Sequence, residues 1–532
     1  MIQRRQVLFF VQTEIFQQKY GKKMTILSKS SIVIESGIIL TEKMRRKIQQ
    51  EEERMRGVET RIQEIRHAIF TEVAKMAYDV DSPVEKTIEE IPYRVIPGEV
   101  GNFRNDVFLE RAIVGERLRL AMGLPCRSAA EHAPISDNIK LADQAETYYT
   151  PPLINVIKFA CNACHEKRVL ITEGCQGCLA HPCVEVCPKK AITLDRTNGR
   201  SYIDQDKCVK CGQCAKVCGY QAIIIQERPC ARACGMDAIG SDENGKADID
   251  YEKCVSCGQC IAVCPTGALQ EKDCTSEVFA AIADPSKHVI VQTAPAVRAA
   301  LGEEFGLPIG TNVEGKMAAA LRRLGFDRVF DTDFSADLTI MEEAHEFLDR
   351  VKNGGVLPMI TSCSPGWVKY CEHYFPDMTE NLSTCKSPQQ MFGAIAKSYY
   401  AEKMGIDPKD IVSVSVMPCT AKKFEIGRED EAANGVPDVD ISITTRELAR
   451  MIRKARIRFL DLPDESFDEP LGLGSGAGVI FGATGGVMEA ALRTAVETLT
   501  GEELPKLEFH EVRGTAGIKE ATYHVADMDV KV

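Results

Sequence analysis

The cysteines of this chain are concentrated in one segment, and their spacing limits what the chain can fold into more than any other feature. Sixteen of the 22 cysteines lie between residues 161 and 264 of a 532-residue chain. Cysteines at such short steps are typical of metal ligands, whereas disulfide frameworks are typical of small secreted domains. The segment therefore predicts a metal-binding domain.

Two cysteine runs carry the strongest signal for the kind of metal. Cys208-x-x-Cys211-x-x-Cys214-x-x-x-Cys218 and Cys254-x-x-Cys257-x-x-Cys260-x-x-x-Cys264 share one layout. Three cysteines at steps of three wrap one 4Fe-4S cubane, and the fourth ligates the other cubane of a pair. Zinc sites use two such steps rather than three in series. The two runs are an internal repeat that resembles the bacterial ferredoxin hairpin.

The other cysteines of the segment complete the ligand count for four cubanes. The run from Cys175 to Cys187 has the same layout with a longer third step, and two shorter pairs begin at Cys161 and Cys230. The predicted ligand sets are Cys175, Cys178, Cys183 and Cys218; Cys208, Cys211, Cys214 and Cys187; Cys254, Cys257, Cys260 and Cys234; and Cys161, Cys164, Cys230 and Cys264. For Cys161 and Cys164 a separate zinc or structural site is the alternative. Chained clusters serve to move single electrons between a surface donor and a buried site.

Charge and hydropathy exclude several classes of partner. The formal net charge is −12, which disfavours nucleic acid and anionic membrane surfaces as partners. No run of 18 or more apolar residues is present, so a membrane-spanning helix is not expected. The start of the chain has an Arg pair and a short apolar run, which we interpret as a helix or an over-extended start rather than an export signal. We expect a cytoplasmic protein of anaerobic metabolism.

The pattern of apolar, charged and cysteine residues along the chain predicts three regions. Residues 1–150 hold charged stretches with apolar residues at helical spacing, from Thr41 to about Tyr78, and are expected to be mainly helical. Residues 151–280 form the α+β ferredoxin-like domain. Residues 285–532 alternate apolar runs with helical patterns, which predicts an α/β domain with a mainly parallel sheet. Its predicted strands lie in HVIVQTAP, DRVFDTDF, VLPMITSC, IVSVSVMPC and VDISITT.

Three segments of the last region resemble the signature segments of the FeFe hydrogenase family, large or catalytic subunit. They are VQTAPAVRAALGEEFG from Val291, PMITSCSPGW from Pro358 and SVMPCTAKKFE from Ser415. The resemblance runs from about Val289 to the end of the sequence with its spacing intact. It implies an H-cluster, a cubane bridged to a two-iron centre with CO and CN⁻ ligands, which reversibly reduces protons to H2. It also implies ferredoxin or a similar electron carrier as donor, and maturation proteins that build the two-iron centre.

The resemblance assigns roles by position. Cys419 is the expected cubane ligand and Lys422 the expected donor to a cyanide, while Pro295, Ala294 and Met417 are expected to line the pocket. Cys363, Glu343, Ser383 and Glu346 fall where the family has its proton path. From the residues alone, the pocket-lining positions would be ordinary core and the two glutamates a solvated helix face.

Two departures from the family pattern leave an alternative open. The family motif most often has two adjacent cysteines where this chain has Cys363 and Ser364, and a hydroxyl is a poorer iron ligand than a thiolate. No cysteine follows Cys419, so the third signature segment, which carries the bridging cysteine, is not in this sequence. Either the sequence is incomplete, a second chain supplies the segment, or the domain has no working H2 site. The alternative function is an inactive hydrogenase-like protein for iron–sulfur electron transfer, sensing or cluster assembly.

Overall fold

The structure is a computed structural model that describes most of the chain. The described residues are 24–28, 31–34, 39–41, 60–78, 83–128, 130, 132–144, 146–433, 435–469, 474–482, 485–501, 510–511, 519–525 and 528–531. The chain divides into two units, residues 1–58 with 302–311 and residues 59–301 with 312–532. In the first unit β1 (Met24–Ser28), β2 (Ser31–Ile34) and β3 (Ile39–Thr41) form an antiparallel sheet that the sequence did not predict. The interpretation of the first 16 residues lies outside the described residues.

The second unit begins with a helical region. Its helices are α1 (Arg61–Tyr78), α2 (Val84–Val95), α3 (Val107–Ala121) and α4 (Glu146–Tyr149). Helices α1, α2 and α3 pack through a shared apolar core that includes Ile69, Ile88 and Leu118. Helix α2 continues through Pro92 to Val95, because Ile88, Ile91 and Pro92 are buried in that core and packing outweighs the low helix propensity of proline.

The cysteine-rich segment folds into two antiparallel lobes, one inserted in the other. The strands are β4 (Ile154–Val156), β5 (Arg168–Ile171), β6 (Ile192–Leu194), β7 (Ser201–Ile203), β8 (Ile223–Gln226), β9 (Ile239–Ser241), β10 (Ala247–Ile249) and β11 (Leu269–Glu271). The helices are α5 (Pro182–Glu185), α6 (Gln213–Val217), α7 (Pro229–Arg232) and α8 (Gln259–Val263). Strand β5 pairs with β8 around the β6–β7 hairpin, whereas β4 pairs with β11 around everything else. We call residues 168–226 the inner lobe, and residues 154–167 with 227–271 the outer lobe.

The two lobes are copies of one fold at the level of backbone conformation. Counted from equivalent cysteines, five positions with left-handed φ recur in both lobes. The pairs are Gly177 and Ala163, Lys190 and Asp237, Lys210 and Ser256, Gly212 and Gly258, and Gln221 and Gly267. Left-handed φ is uncommon for residues other than glycine, so this recurrence is not a chance property of loops. The chain therefore carries one ferredoxin-like lobe inside a loop of another.

The last region is built on a parallel sheet, as predicted. Strands β12 (His288–Thr293), β13 (Arg328–Asp331), β14 (Ile411–Met417) and β15 (Ile441–Thr444) lie in the order β13-β12-β14-β15. The helices are α9 (Thr275–Ala283), α10 (Pro295–Ala300), α11 (Glu314–Leu324), α12 (Asp333–Asn353), α13 (Pro365–Tyr374), α14 (Pro388–Ile395), α15 (Ala401–Met404), α16 (Ala421–Glu425), α17 (Thr445–Lys454), α18 (Gly476–Val479) and α19 (Gly486–Thr500). A π-helical turn, Ala396–Tyr400, follows α14. Two short antiparallel pairs end the described chain, β16 (His510–Glu511) with β17 (Lys519–Glu520) and β18 (Thr522–Val525) with β19 (Met528–Lys531).

One predicted strand of this region does not form. Four of the five strand predictions are confirmed, but the VLPMITSC segment is irregular and makes one isolated bridge, from Ile360 to Leu382. Its apolar residues are half-buried or exposed rather than enclosed between helices, and Pro358 cannot donate to a ladder. The segment lies instead beside the site described below. No helix in the described part of the chain is long and apolar enough to cross a bilayer.

Candidate active site and cysteine-lined cavities

Two of the four predicted cysteine quartets each line one cavity. In the inner lobe Cys187, Cys208, Cys211 and Cys214 share a cavity whose walls include Val169, Ile192 and Ile203. In the outer lobe a second cavity is lined by four cysteines that are not the counterparts of those four. They are Cys161, Cys164, Cys230 and Cys264. The structure thus brings Cys161 and Cys164 together with two cysteines that follow the inner lobe.

The cysteines of a third quartet lie close enough to shift one another's pKa values. Burial, and after it the nearby thiols of Cys254, Cys257, Cys230 and Cys234, raise the pKa of the Cys260 thiol to about 12. Two of these neighbours, Cys257 and Cys234, act on Cys254. Of the fourth quartet, Cys183 and Cys218 lie in one apolar cluster of the inner lobe, and Cys175 and Cys178 occupy the loop before α5.

The donor chemistry of the lobes suits 4Fe-4S clusters. Each lined cavity offers four thiols and apolar walls, which is the environment such a cluster uses. The structure assigns no three His, Cys, Asp or Glu side chains of its described residues to a site for a single metal ion. By position and donor type, the quartets fit one cubane each.

The outer lobe makes direct contact with the parallel-sheet domain. The Thr420 hydroxyl donates to the backbone carbonyl of Ser256, and a Cβ added to Gly258 would lie 2.8 Å from the Thr420 hydroxyl oxygen. The Tyr374 hydroxyl donates to the carbonyl of Met236 at 3.2 Å. The loop that carries Cys254 and Cys257 therefore rests on the residue next to Cys419.

The predicted pocket residues converge at the carboxyl ends of two neighbouring strands. Ala294 and Pro295 follow β12, while Met417 ends β14 and Cys419 comes two residues later. The Ala294 amide donates to Val416 at 3.0 Å, which ties the two strand ends together. Parallel sheets bind ligands at this edge because the loops that leave it diverge.

Lys422 is held by a carboxylate that the sequence did not single out. Its Nζ lies 3.0 Å from both oxygens of Glu425 and 3.0 Å from the backbone carbonyl of Cys363. Glu425 also accepts hydrogen bonds from Ser387 at 2.9 Å and Gln389 at 2.8 Å. The i,i+3 spacing of Lys422 and Glu425 on α16 is the signal that could have identified this pair.

Glu343 is the buried acid of the site. Its side chain is 1% exposed, and neither carboxylate oxygen has a partner within hydrogen-bonding geometry in the described structure. Burial raises the pKa of Glu343 to about 7; the nearby Ser383 hydroxyl and Ser362 amide oppose this rise, and the Glu346 charge supports it. The pKa of the Cys363 thiol is also raised, first by burial and then by Glu343. Glu343 and Cys363 are therefore near neighbours; at neutral pH the thiol is protonated and the carboxyl is poised between its protonated and ionised forms.

Glu346, one turn further along α12, is ionised at neutral pH. It accepts from the Ser383 hydroxyl at 2.8 Å, the Thr384 amide at 3.0 Å and Arg350 Nη2 at 2.6 Å. Desolvation alone would raise its pKa, but these hydrogen bonds outweigh it and the pKa is lowered. Cys385 Sγ lies 3.5 Å from the same carboxylate. Arg350, Thr384 and Cys385 were not predicted, although Arg350 follows Glu346 at helical spacing.

Ser364 occupies the N-cap position of α13 but does not use its hydroxyl there. No capping hydrogen bond from its side chain is present, and the residue is exposed. The fold therefore does not explain why serine stands at this position.

Comparison with known protein families agrees with this arrangement. Residues 287–532 match the model described as iron only hydrogenase large subunit, C-terminal domain. Residues 174–222, within the inner lobe, match a 4Fe-4S dicluster domain, and residues 247–270 match a 4Fe-4S binding domain.

Several curated proteins are similar to this chain. It is 61% identical to the NADP-reducing hydrogenase subunit HndD of Solidesulfovibrio fructosivorans over 50% of this chain and 47% of that protein. It is 45% identical to iron hydrogenase 1 of Clostridium pasteurianum over 70% of this chain and 65% of that protein. A cytosolic Fe-S cluster assembly factor of Danio rerio is 30% identical over 43% of this chain and 57% of that protein. The chain spans about half to two thirds of the length of these relatives.

Solved structures are also similar in sequence. An apo FeFe-hydrogenase from Chlamydomonas reinhardtii is 50% identical over 47% of this chain and 64% of that chain, with a TM-score of 0.43.

Proposed function

Because this chain belongs to the iron-only hydrogenase family through residues 287–532 and carries 4Fe-4S domains ahead of them, we propose that it catalyses the reversible reduction of protons to H2. The observation that carries the proposal is the order of acidic groups beside Cys363. The series runs outward from the buried side of the site. Glu343, with a pKa of about 7, comes first, and the Ser383 hydroxyl follows. Ionised Glu346 comes last, in contact with Arg350 and the exposed Thr384. A site that consumes protons needs such a series.

In the proposal each group moves or holds a proton at a defined atom. Glu346 accepts a proton on the carboxylate that faces Ser383, and the Ser383 hydroxyl passes it inward. Glu343 stores it, since its pKa of about 7 makes release and uptake nearly balanced at neutral pH. The Cys363 thiol is the last donor. Groups whose pKa lies near the working pH are the most effective acid–base catalysts.

The residues that would hold the cofactors follow from their placement. The four cysteine quartets would hold four cubanes that relay electrons, and Cys419 would ligate a cubane at the sheet edge. Lys422 would donate to an anionic ligand of the two-iron centre from its position on Glu425 and Cys363, and Ala294, Pro295 and Met417 would form pocket walls. When bound, the H-cluster supplies the redox chemistry that joins two protons and two electrons.

The proposal also names partners and a compartment. Electrons come from ferredoxin or a similar carrier, and maturation proteins deliver the two-iron centre. We place the chain in the cytoplasm, since cysteines kept as thiolate ligands persist in a reducing compartment.

Infrared spectroscopy after co-production with maturation proteins, together with an H2 assay, tests the proposal. Bands from iron-bound CO and CN⁻ and H2 evolution from reduced methyl viologen are expected. Cys419→Ser should abolish turnover while the iron of the two lobes remains bound. Unchanged H2 evolution in Cys419→Ser would contradict the assignment.

A second candidate rests on Ser364. A hydroxyl is a poor iron ligand, and the fold gives this serine no capping role. The chain would then be a hydrogenase-like protein for iron–sulfur electron transfer, sensing or cluster assembly, and one such relative is an assembly factor. Ser364→Cys separates the two candidates: H2 evolution that appears only in Ser364→Cys supports the second for the natural chain, whereas evolution by the wild type supports the first.

A further inference from the structure

The nested repeat allows each surface of the inner lobe to be compared with its copy in the outer lobe. Cys187 corresponds to Cys234 and Cys208 to Cys254, because both pairs occupy the same places relative to the paired strands and the left-handed residues. Two loops of the outer lobe contact the parallel-sheet domain, through Met236 and Ser256. The equivalent positions of the inner lobe are Lys189 and Lys210.

The inner-lobe surface is more exposed than its outer-lobe equivalent, as expected for a surface that does not contact the parallel-sheet domain. Val255 of the outer lobe is 8% exposed, whereas its equivalent Val209 is 54% exposed. Val209 and Lys189 line the same cavity as the inner-lobe quartet, so this surface stands directly over a predicted cluster.

The lysines of this surface are not required by the ferredoxin-like fold. The residues equivalent to Lys189, Lys190 and Lys210 are Met236, Asp237 and Ser256, in a copy with the same backbone conformation. All three lysines are exposed, and the ion pairs recorded for the described residues include none of them. The inner lobe as a whole has eight Lys and Arg against five Asp and Glu, whereas the outer lobe has six against nine. Positive charge is therefore concentrated on the lobe whose surface has no contact to the parallel-sheet domain recorded among the described residues, in a chain of net charge −12.

We propose that Lys189, Lys190, Val209 and Lys210, here called the lysine face, form the docking site for a small acidic electron-transfer protein. The inference rests on the proposed function, in that electrons must enter the chain of clusters somewhere. The lysine face is the inner lobe's copy of the surface through which the outer lobe delivers electrons to the parallel-sheet domain. The lysine face places one apolar side chain and three lysines with no recorded ion pair beside the cysteine-lined cavity. These features suit an acidic partner, since complementary charge raises the rate at which two proteins associate.

Stopped-flow reduction of the iron-loaded full chain by a reduced, acidic 2Fe-2S ferredoxin tests the site. Oxidation of the ferredoxin is followed by the strong visible circular dichroism of its oxidised 2Fe-2S cluster, a signal that does not depend on H2 formation. Lys189→Glu with Lys210→Glu should lower the second-order rate at least tenfold at low ionic strength, and the difference should shrink as salt screens the charges. The matched control is Lys167→Glu with Arg196→Glu, which makes the same charge change at exposed residues that do not line the quartet cavity. It should change the rate by less than threefold.

Three other results would overturn the proposal. Equal slowing by both double variants would overturn the proposal, because net charge rather than the lysine face would then govern the rate. An unchanged rate in the lysine-face variant would also overturn it. Salt-sensitive self-association lost in that variant, with the ferredoxin rate unchanged, would assign the face to a second copy of this chain instead. Methyl viologen-driven H2 evolution is measured separately, so failure of the proposed function leaves a distinct pattern: normal ferredoxin-driven cluster reduction with no H2.

Discussion

Glu343 and Glu346 lie three residues apart on one helix, yet their pKa values are shifted in opposite directions. Burial raises the pKa of Glu343 to about 7, whereas hydrogen bonds from Ser383, Thr384 and Arg350 keep Glu346 ionised. The sequence could place both glutamates on one face of α12 but could not separate their environments. Burial depends on α12 being covered by elements that lie tens of residues away along the chain, and no local pattern reports it.

Replacement of Glu343 by glutamine should lower H2 evolution by about 100-fold while leaving cluster content unchanged, because an amide cannot relay a proton. The wild-type protein should show a protonated-carboxyl infrared band that disappears as pH rises through about 7, and this band should be missing in the variant. The matched control is Glu342→Gln, an exposed neighbour on the same helix. Full activity in Glu343→Gln would remove this residue from the proton path.

The same titration has a consequence for stability, and its sign follows from linkage. The pKa of Glu343 is raised from an ordinary value of 4.5 to about 7, so between these values the folded chain holds a proton that the unfolded chain releases. The stabilising contribution is fully present below pH 4.5 and is lost as pH rises through about 7. Thermal unfolding of the wild type should therefore lose stability over this interval relative to Glu343→Gln.

Glu425 gives a second prediction at the scale of single residues. It is buried and balances the Lys422 charge, so Glu425→Gln should destabilise the domain by about 3 kcal/mol by leaving that ammonium without a counter-ion. Denaturant unfolding measures the loss. Glu429→Gln, at an exposed position nearby, should have no measurable effect. Equal stability of the two variants would show that Lys422 does not depend on Glu425.

At the scale of elements, the contact between the Cys254–Cys260 loop and α16 depends on one side-chain hydrogen bond. The Thr420 hydroxyl donates to the Ser256 carbonyl at a buried position. Thr420→Val keeps the shape and removes the donor, which should weaken the contact by about 1–3 kcal/mol. Hydrogen–deuterium exchange should then show faster exchange in residues 254–260. Thr420→Ser keeps the donor and should leave exchange as in the wild type; equal acceleration in both variants would assign the contact to the methyl group.

Elements were predictable from sequence where one local pattern decided them. HVIVQT and IVSVSVM are apolar runs of strand length, and both are central strands of the sheet. VLPMITSC has the same composition, but tertiary placement beside the site prevented a strand. The cysteine motifs predicted quartets whose members the structure groups in two cavities, because ligand spacing is a local constraint. Cys385 was missed because its partner Glu346 comes from another segment, whereas Glu425 could have been found from its i,i+3 spacing to Lys422.

The nested arrangement belongs to the scale of the whole molecule, and the sequence did not reveal it. The two lobes have separate apolar cores, one containing Val169 and Ile223, the other Ile154 and Leu269. The cysteine spacing grouped Cys164 with Cys230, but it did not show that the 59 residues between them, 168–226, form a complete lobe; the β4–β11 and β5–β8 pairings show this. Electron entry and delivery are thereby assigned to two copies of one surface.

Excision of the inner lobe should be tolerated, because Arg168 and Gln226 are direct antiparallel partners and their Cα atoms lie about 5 Å apart. A chain with residues 168–226 replaced by Gly-Gly should keep the outer lobe and the parallel-sheet domain folded and lose about eight iron atoms, the content of two cubanes. Iron analysis and circular dichroism measure the two effects. Removal of only residues 239–249 is the contrasting deletion: it takes Ala247 and Ile249 out of the outer-lobe core and should unfold that lobe. If the 59-residue excision proves the more damaging of the two, the inner lobe is part of the core of its host rather than an insertion into it.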